Sequence, residues 1–160
     1  MANLADAMAY LCAHYPHKAE LSKARLTKMI YLADWRLALV DKRQITNLTW
    51  VFNHYGPYLE DVKETAQADP RFELKSDRNL YGSVKEVIAL RHSHPDIDLE
   101  DAEKLALDHV IQKTKDLTWA PFIKLVYSTF PIATQPRYVP LNLVELAKTY
   151  QQQKVSLEQA

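Results

Sequence analysis

Glycine is nearly missing from this sequence: it holds 2 of 160 positions, where a soluble domain ordinarily has about 7%. Phosphate-cradling loops of the Walker or dinucleotide-binding kind need several glycines close together, because only glycine lets the backbone approach the phosphates. Gly56 and Gly82 stand 26 residues apart, which excludes such a loop. Cysteine is scarcer still. Cys12 stands alone, so no disulfide forms within the chain and an oxidising compartment is not indicated. Net charge is missing too, with 20 basic residues against 20 acidic ones. A broadly basic nucleic-acid binder would show an excess of Lys and Arg. Near neutrality also offers little repulsion against self-association, which leaves a homodimer open. No run approaches the ~18 apolar residues of a membrane span. The opening Met1-Ala2-Asn3-Leu4-Ala5-Asp6 lacks the basic segment and apolar core of a secretory signal. The expected location is the cytoplasm, with no membrane partner.

What is present is the balance of a folded chain, 48% hydrophobic and 25% charged. A chain of this length buries roughly 70% of its unfolded surface and needs no metal or disulfide staple. Leu4, Met8, Leu11 and Tyr15 recur at helical spacing behind Asn3, and Pro16 ends the run. A second helix is predicted from a cap at Ser22 to about Val40. Leu26, Met29, Ile30, Ala33, Leu37 and Val40 form one apolar stripe on it, and Leu32, Trp35 and Leu39 a second ridge. A helix apolar on two faces is central to its fold or offers one face to a partner, and core burial is the commoner case.

Residues 48–54 alternate as a short strand, with Leu48, Trp50, Phe52 and His54 on one face. Tyr55-Gly56-Pro57 then turns the chain, with Pro57 suited to the first position of a helix over about Tyr58 to Gln67. Phe72–Lys75 and Ser83–Leu90 read as a β-hairpin. Asp98 is expected to cap a helix to about Lys115, and Thr118 another containing Pro121. Pro131, Pro136 and Pro140 suggest an extended connection before a last helix, Leu141 to about Tyr150. The expected fold is therefore α+β and mainly helical. It is a single domain over residues 3–150 with a small antiparallel sheet of about three strands that includes the 72–90 hairpin. Residues 151–160 read as a polar tail and a candidate for disorder.

Charge is unevenly placed: seven basic and three acidic residues from Lys18 to Arg43, but three basic and seven acidic from Asp96 to Asp116. Two solvated helix faces of opposite sign account for this most simply. Catalytic constellations are thin. Cys12 has His14 and His17 near it in sequence, but two residues along a helix point to opposite sides. His92 and His94 with Asp96 and Asp98 have metal-ligand types without a helical His pair to fix their geometry. The paired carboxylates Glu60-Asp61 and Glu100-Asp101 suit helix N-termini. No catalytic residue, metal site or cofactor is expected. A small enzyme with an unrecognised site is the weaker alternative. A winged helix-turn-helix is another, with the basic Ser22-Lys23-Ala24-Arg25 helix entering a major groove; the apolar stripe of that helix speaks against it.

Arg25-Leu26-Thr27-Lys28-Met29-Ile30-Tyr31-Leu32-Ala33 resembles the signature that opens the Panacea domain, the SocA-like antitoxin family of toxin–antitoxin loci and phages. Phe52-Asn53-His54-Tyr55-Gly56-Pro57-Tyr58 resembles its aromatic Gly-Pro motif, although many members have valine where Tyr58 stands. Leu117-Thr118-Trp119 and Leu125-Val126-Tyr127-Ser128-Thr129-Phe130-Pro131 fit its closing helix, so the similarity covers about residues 3–133. The resemblance implies a mainly helical domain with a small sheet. Such a domain would bind a cognate protein toxin, encoded by the adjacent gene, and neutralise it or present it to a protease, without catalysis. Leu26, Lys28, Tyr31, Gly56 and Pro57 belong to the motifs and are expected to serve the fold, Gly56 through a positive φ. The expected toxin-binding residues are Leu32, Trp35, Arg36, Leu39, His54, Tyr55 and Tyr58, because interfaces draw affinity from a few aromatic and Arg anchors. The plainer alternative packs Trp35 and Leu39 against the first or last helix.

Overall fold

The helix that begins at Ser22 is the axis of the molecule, and its sequence explains why. The Ser22 hydroxyl accepts the Arg25 backbone N–H at 3.1 Å, which starts α2, Lys23–Asp41. Thirteen of its residues are buried, so both apolar faces find neighbours. A computed structural model describes residues 3–54, 56–78 and 84–159 of the chain. Within it α2 is flanked by α1 (Leu4–His14), α3 (Asp61–Ala68), α4 (Asp101–Thr114) and α7 (Leu143–Gln159). The remaining helices are α5 (Trp119–Ser128) and α6 (Phe130–Thr134). Leu26, Met29, Ile30, Ala33 and Leu37 lie in the continuous core, whereas Val40, at the end of the same stripe, is exposed. Among the described residues, no helix is long and apolar enough to cross a membrane.

The fold is α+β and mainly helical, as expected, but its strands form two sheets rather than one. β1 (Trp50–Asn53) is flanked on one side by β2 (Gly56–Pro57) and on the other by β5 (Pro140–Leu141), both antiparallel. β3 (Phe72–Arg78) and β4 (Val84–Leu90) make the hairpin, in register from Phe72 opposite Leu90 to Arg78 opposite Val84. The hairpin is attached to the entrance of α2 instead of to β1: the Ile88 N–H donates to the Leu21 carbonyl at 2.9 Å. Pro57 does not begin a helix. Gly56 at φ +86° folds the chain back so that Gly56 and Pro57 pair with Asn53 and Phe52, and Pro57 lies on an edge strand, where a missing N–H is tolerated.

Three further boundaries differ. α4 begins at Asp101, because Glu100 and Glu103 form a reciprocal capping box, and Asp98 remains outside the helix. Pro131 sits in the first turn of α6, inside the segment expected to be extended, where its missing N–H is an orphan in any case. The last helix does not stop near Tyr150 but runs through the polar stretch to Gln159. Gln, Lys, Leu and Glu are good helix formers, and the Gln151 side chain donates to the Leu39 carbonyl at 2.8 Å, near the end of α2.

Two polar clusters lock the ends of α2. Near its start, the buried Arg25 guanidinium donates from Nη2 to the Tyr15 hydroxyl (2.8 Å) and to the carbonyls of Thr114 (3.0 Å) and Leu117 (2.8 Å). It also lies 4.3 Å over the Phe122 ring. Farther along, the Asp34 carboxylate accepts from the Thr46 hydroxyl (2.6 Å), the Trp50 indole (2.8 Å) and the N–H groups of Ile45 (2.9 Å) and Thr46 (3.1 Å). Gln44 approaches at 3.4 Å. Burial holds this carboxyl up at about 6, against the pull of those hydrogen bonds toward the anion. The oppositely charged segments also meet. α2 packs on α4, and Arg43, just past α2, reaches Glu100 at 2.9 Å and the buried Glu103 at 3.3 Å.

Candidate functional site

Helical geometry turns Ala24 and Lys28, four residues apart, toward one side of α2, and Lys23 borders the same space at the start of the helix. Opposite them Trp119, Ile123 and Tyr127 recur every four residues along α5. The segment around the β1–β2 turn closes one end with His54, Tyr58 and Glu60. Together these side chains line a groove of about 500 Å³. A depression of about 640 Å³ adjoins it, sharing Lys23, Ala24 and Trp119 and adding Glu20, Lys85 and Glu86.

Lys28 is the unusual member. It is 2% exposed, and its ammonium lies 6.0 Å from the Tyr58 ring and 5.9 Å from the Trp119 ring. Burial pulls this ammonium down to about 8, since the charged form gives up its hydration. Tyr58 donates its hydroxyl to Glu60 at 2.9 Å. Burial, with the neighbouring carboxylate, pushes that phenol up to about 12. Trp119 and Tyr127 keep 48% and 36% of their surface exposed. Gly56 supports the same wall. A Cβ on it would lie 2.8 Å from Tyr127 Cε1, so the motif glycine is needed for close approach as well as for its positive φ.

The expected toxin-binding residues do not form one patch. Leu32, Trp35, Arg36 and Leu39 line a separate groove of about 290 Å³ with His109, Val110, Lys113, Leu125 and Thr129. Leu125 lies on the far side of α5 from Ile123 and Tyr127, with Thr129 just past the end of the helix, so α5 stands between the two grooves. Trp35 itself is in the core: it is 7% exposed, stacked on Phe130 at 6.5 Å and edge-on to Tyr150 at 6.1 Å. The last helix thus covers the ridge that a partner was expected to cover. Leu32 is buried as well, while Arg36 and Leu39 are half-buried. His54 and Tyr58 belong to the Lys28 groove, and Tyr55 lies outside the described residues. Leu26 and Tyr31 are fully buried, with the Tyr31 hydroxyl bonded to that of Thr129 at 2.8 Å. Gly56 and Pro57 are buried too. Sequence reasoning placed Trp119 and Tyr127 only in the segments that fit the family's closing helix, and named Lys23 only in the weighed DNA-binding helix. The four-residue spacing of Trp119, Ile123 and Tyr127 was the available signal.

The weighed chemistry is placed as follows. Cys12 is buried, and burial pushes its thiol up to about 12, which keeps it protonated at neutral pH. Among the described residues, no group of three or more His, Cys, Asp or Glu side chains is arranged to hold a metal ion. The helix that a winged helix-turn-helix would insert into DNA is α2, whose Arg25 and Lys28 are inside the protein.

No curated protein and no solved structure matches the chain. Family comparison, in contrast, matches residues 26–130, about two-thirds of the sequence, to the antitoxin SocA-like Panacea domain. The matched span contains Lys28 and most of α2, the segment His54–Glu60 around the Gly56-Pro57 turn, and the Trp119–Tyr127 wall, while Lys23 and Ala24 of the groove precede it. The chain therefore belongs to the SocA-like antitoxin family, with a Panacea domain across residues 26–130.

Proposed function

We propose that this protein is an antitoxin that neutralises a cognate protein toxin by direct, stoichiometric complex formation. One observation carries the reading: three motif segments far apart in the sequence converge on a single open groove, inside the span matched to an antitoxin family. Its exposed Trp119 and Tyr127 are of the residue types that dominate interface energetics. The function is binding and not turnover, exerted in the cytoplasm, and the partner is the product of the adjacent gene. Neutralisation works by occluding the toxin, or by delivering it to a protease.

Co-expression with the neighbouring gene product tests this. Growth should be restored, and the two chains should elute as one complex of defined stoichiometry by light scattering. Restoration that disappears in protease-deficient cells would select delivery over occlusion. A neighbour that is harmless alone and forms no complex with this chain would overturn the reading.

A further inference from the structure

Burying an ammonium without a carboxylate is unfavourable, and proteins ordinarily pair such a group. Lys28 is 2% exposed, yet among the described residues its ammonium has no hydrogen bond and no ion pair; its Nζ keeps a narrow contact with water through the groove it lines. Its contacts are the Tyr58 and Trp119 rings, each about 6 Å away. These restore only part of the lost hydration. The acidic groups nearby are engaged. Glu60 accepts the Tyr58 hydroxyl at 2.9 Å, and Glu86 faces Lys63 at 3.8 Å. Lys23 adds a second cation to the same groove. The groove therefore carries two cations, Lys23 and Lys28, against one carboxylate, Glu60, which is held by Tyr58 at one end; beside Lys28 its sides are aromatic, and an anion is what the lysine lacks.

We propose that this groove is the face on which the toxin docks, and that Lys28 receives an Asp or Glu side chain from the toxin's surface. The identity of the partner rests on the antitoxin reading; the carboxylate slot stands on the geometry of Lys28 alone. A side chain is the fitting source because the groove is open along its length, and Asp and Glu are mostly exposed on a folded protein. Trp119 and Tyr127 flank the slot and would exclude water from the pair once covered. The lowered proton affinity of Lys28 agrees with a cation waiting for its counter-charge.

The test follows the Lys28 amine by NMR in chain carrying 13C-labelled lysine, assigned against Lys28→Arg. In free protein its titration midpoint should lie near 8. In the complex with co-expressed toxin it should rise above 10. Lys28→Met should keep or raise the melting temperature while weakening toxin binding at least tenfold, with Lys28→Arg recovering part of the loss. Neutralising the contacting toxin carboxylate to Asn or Gln should give the same loss, and the two changes together should be non-additive. The proposal is overturned by an unmoved midpoint in the complex, by wild-type affinity of Lys28→Met, or by a loss that appears only when the toxin's C-terminal carboxylate is displaced by added residues. If no toxin complex forms, the antitoxin reading fails by itself, and acetate becomes the probe of the slot. An upward shift of the Lys28 midpoint in acetate, relative to chloride at equal ionic strength, supports it; no shift overturns it.

Discussion

Asp34 and Lys28 lie six residues apart on one helix, both buried, at 0% and 2% exposure. The fold treats them in opposite ways. Around Asp34 the chain from Gln44 to Trp50 supplies five donors within 3.4 Å, so the carboxylate organises the connection from α2 to β1. Around Lys28 it supplies two aromatic faces and no acceptor. A buried charge that the protein satisfies completely is part of its architecture. One that it shelters but leaves unpaired holds interaction energy for something else. These two residues of α2 teach how to separate scaffold from site when both are buried and both are polar.

Mutations can break this contrast or sharpen it. Asp34→Ala should be the most damaging change, because it orphans buried donors from Ile45, Thr46 and Trp50, each worth roughly 1–3 kcal/mol. A loss of about 4 kcal/mol is expected in urea unfolding, and a loss below about 1 kcal/mol would deny Asp34 its organising role. Trp35→Ala, which removes the ring between Phe130 and Tyr150, should cost about 3 kcal/mol. Toxin affinity of the fraction that remains folded should stay within about twofold, which would assign the second ridge to the core. Gly56→Ala should cost about 2 kcal/mol through strain at φ +86° and the clash with Tyr127. Adding Tyr127→Ala should relieve the clash and not the backbone strain, so only part of the stability returns.

Lys28→Met should produce the smallest change in stability and the opposite sign, a gain of about 1 kcal/mol at pH 7, or roughly 2–4 °C. The sign of its pH dependence is fixed by linkage. The folded-state value near 8 lies below the ordinary lysine value, so the unfolded chain binds more protons between about 8 and 10.5. Wild-type stability therefore rises through that window relative to Lys28→Met, and the gap between the two melting temperatures should close there. Toxin binding should weaken over the same range, since the free amine must then take up a proton to meet a carboxylate. Lys23, His54, Glu60, Tyr58 and Tyr127 also face the groove, so the comparison with Lys28→Met is needed to isolate the lysine.

Much of the scaffold was legible because it is periodic. The α2 stripes, the α1 run and the 72–90 hairpin repeat over enough residues to fix type and place. The three-stranded sheet was not, because two of its strands are only two residues long and each contains a proline. Their pairing with β1 is decided by Gly56 at positive φ and by the return of a chain segment some ninety residues later. The extension of α7 was missed because its last turns carry propensity without an apolar stripe. At the site, motif resemblance found Lys28, Tyr58 and the Gly56-Pro57 turn. It did not find their separation from Trp35, which depends on α5 passing between the two grooves. Nor can a sequence reveal that Lys28 lacks a counter-ion when Glu60 and Glu86 both stand ready to supply one; in three dimensions Glu60 holds the Tyr58 hydroxyl and Glu86 faces Lys63.

The aromatic triad of Trp35, Phe130 and Tyr150 bears on what can be exchanged between members of this family. The matched span stops at Phe130, yet β5 closes the free edge of β1 and α7 roofs Trp35. A chimera cut at residue 130 would inherit the Lys28 groove together with a bare sheet edge and an uncovered Trp35. The transplantable unit therefore extends to at least Tyr150, and any recutting of the groove walls on α2 and α5 has to leave that roof in place.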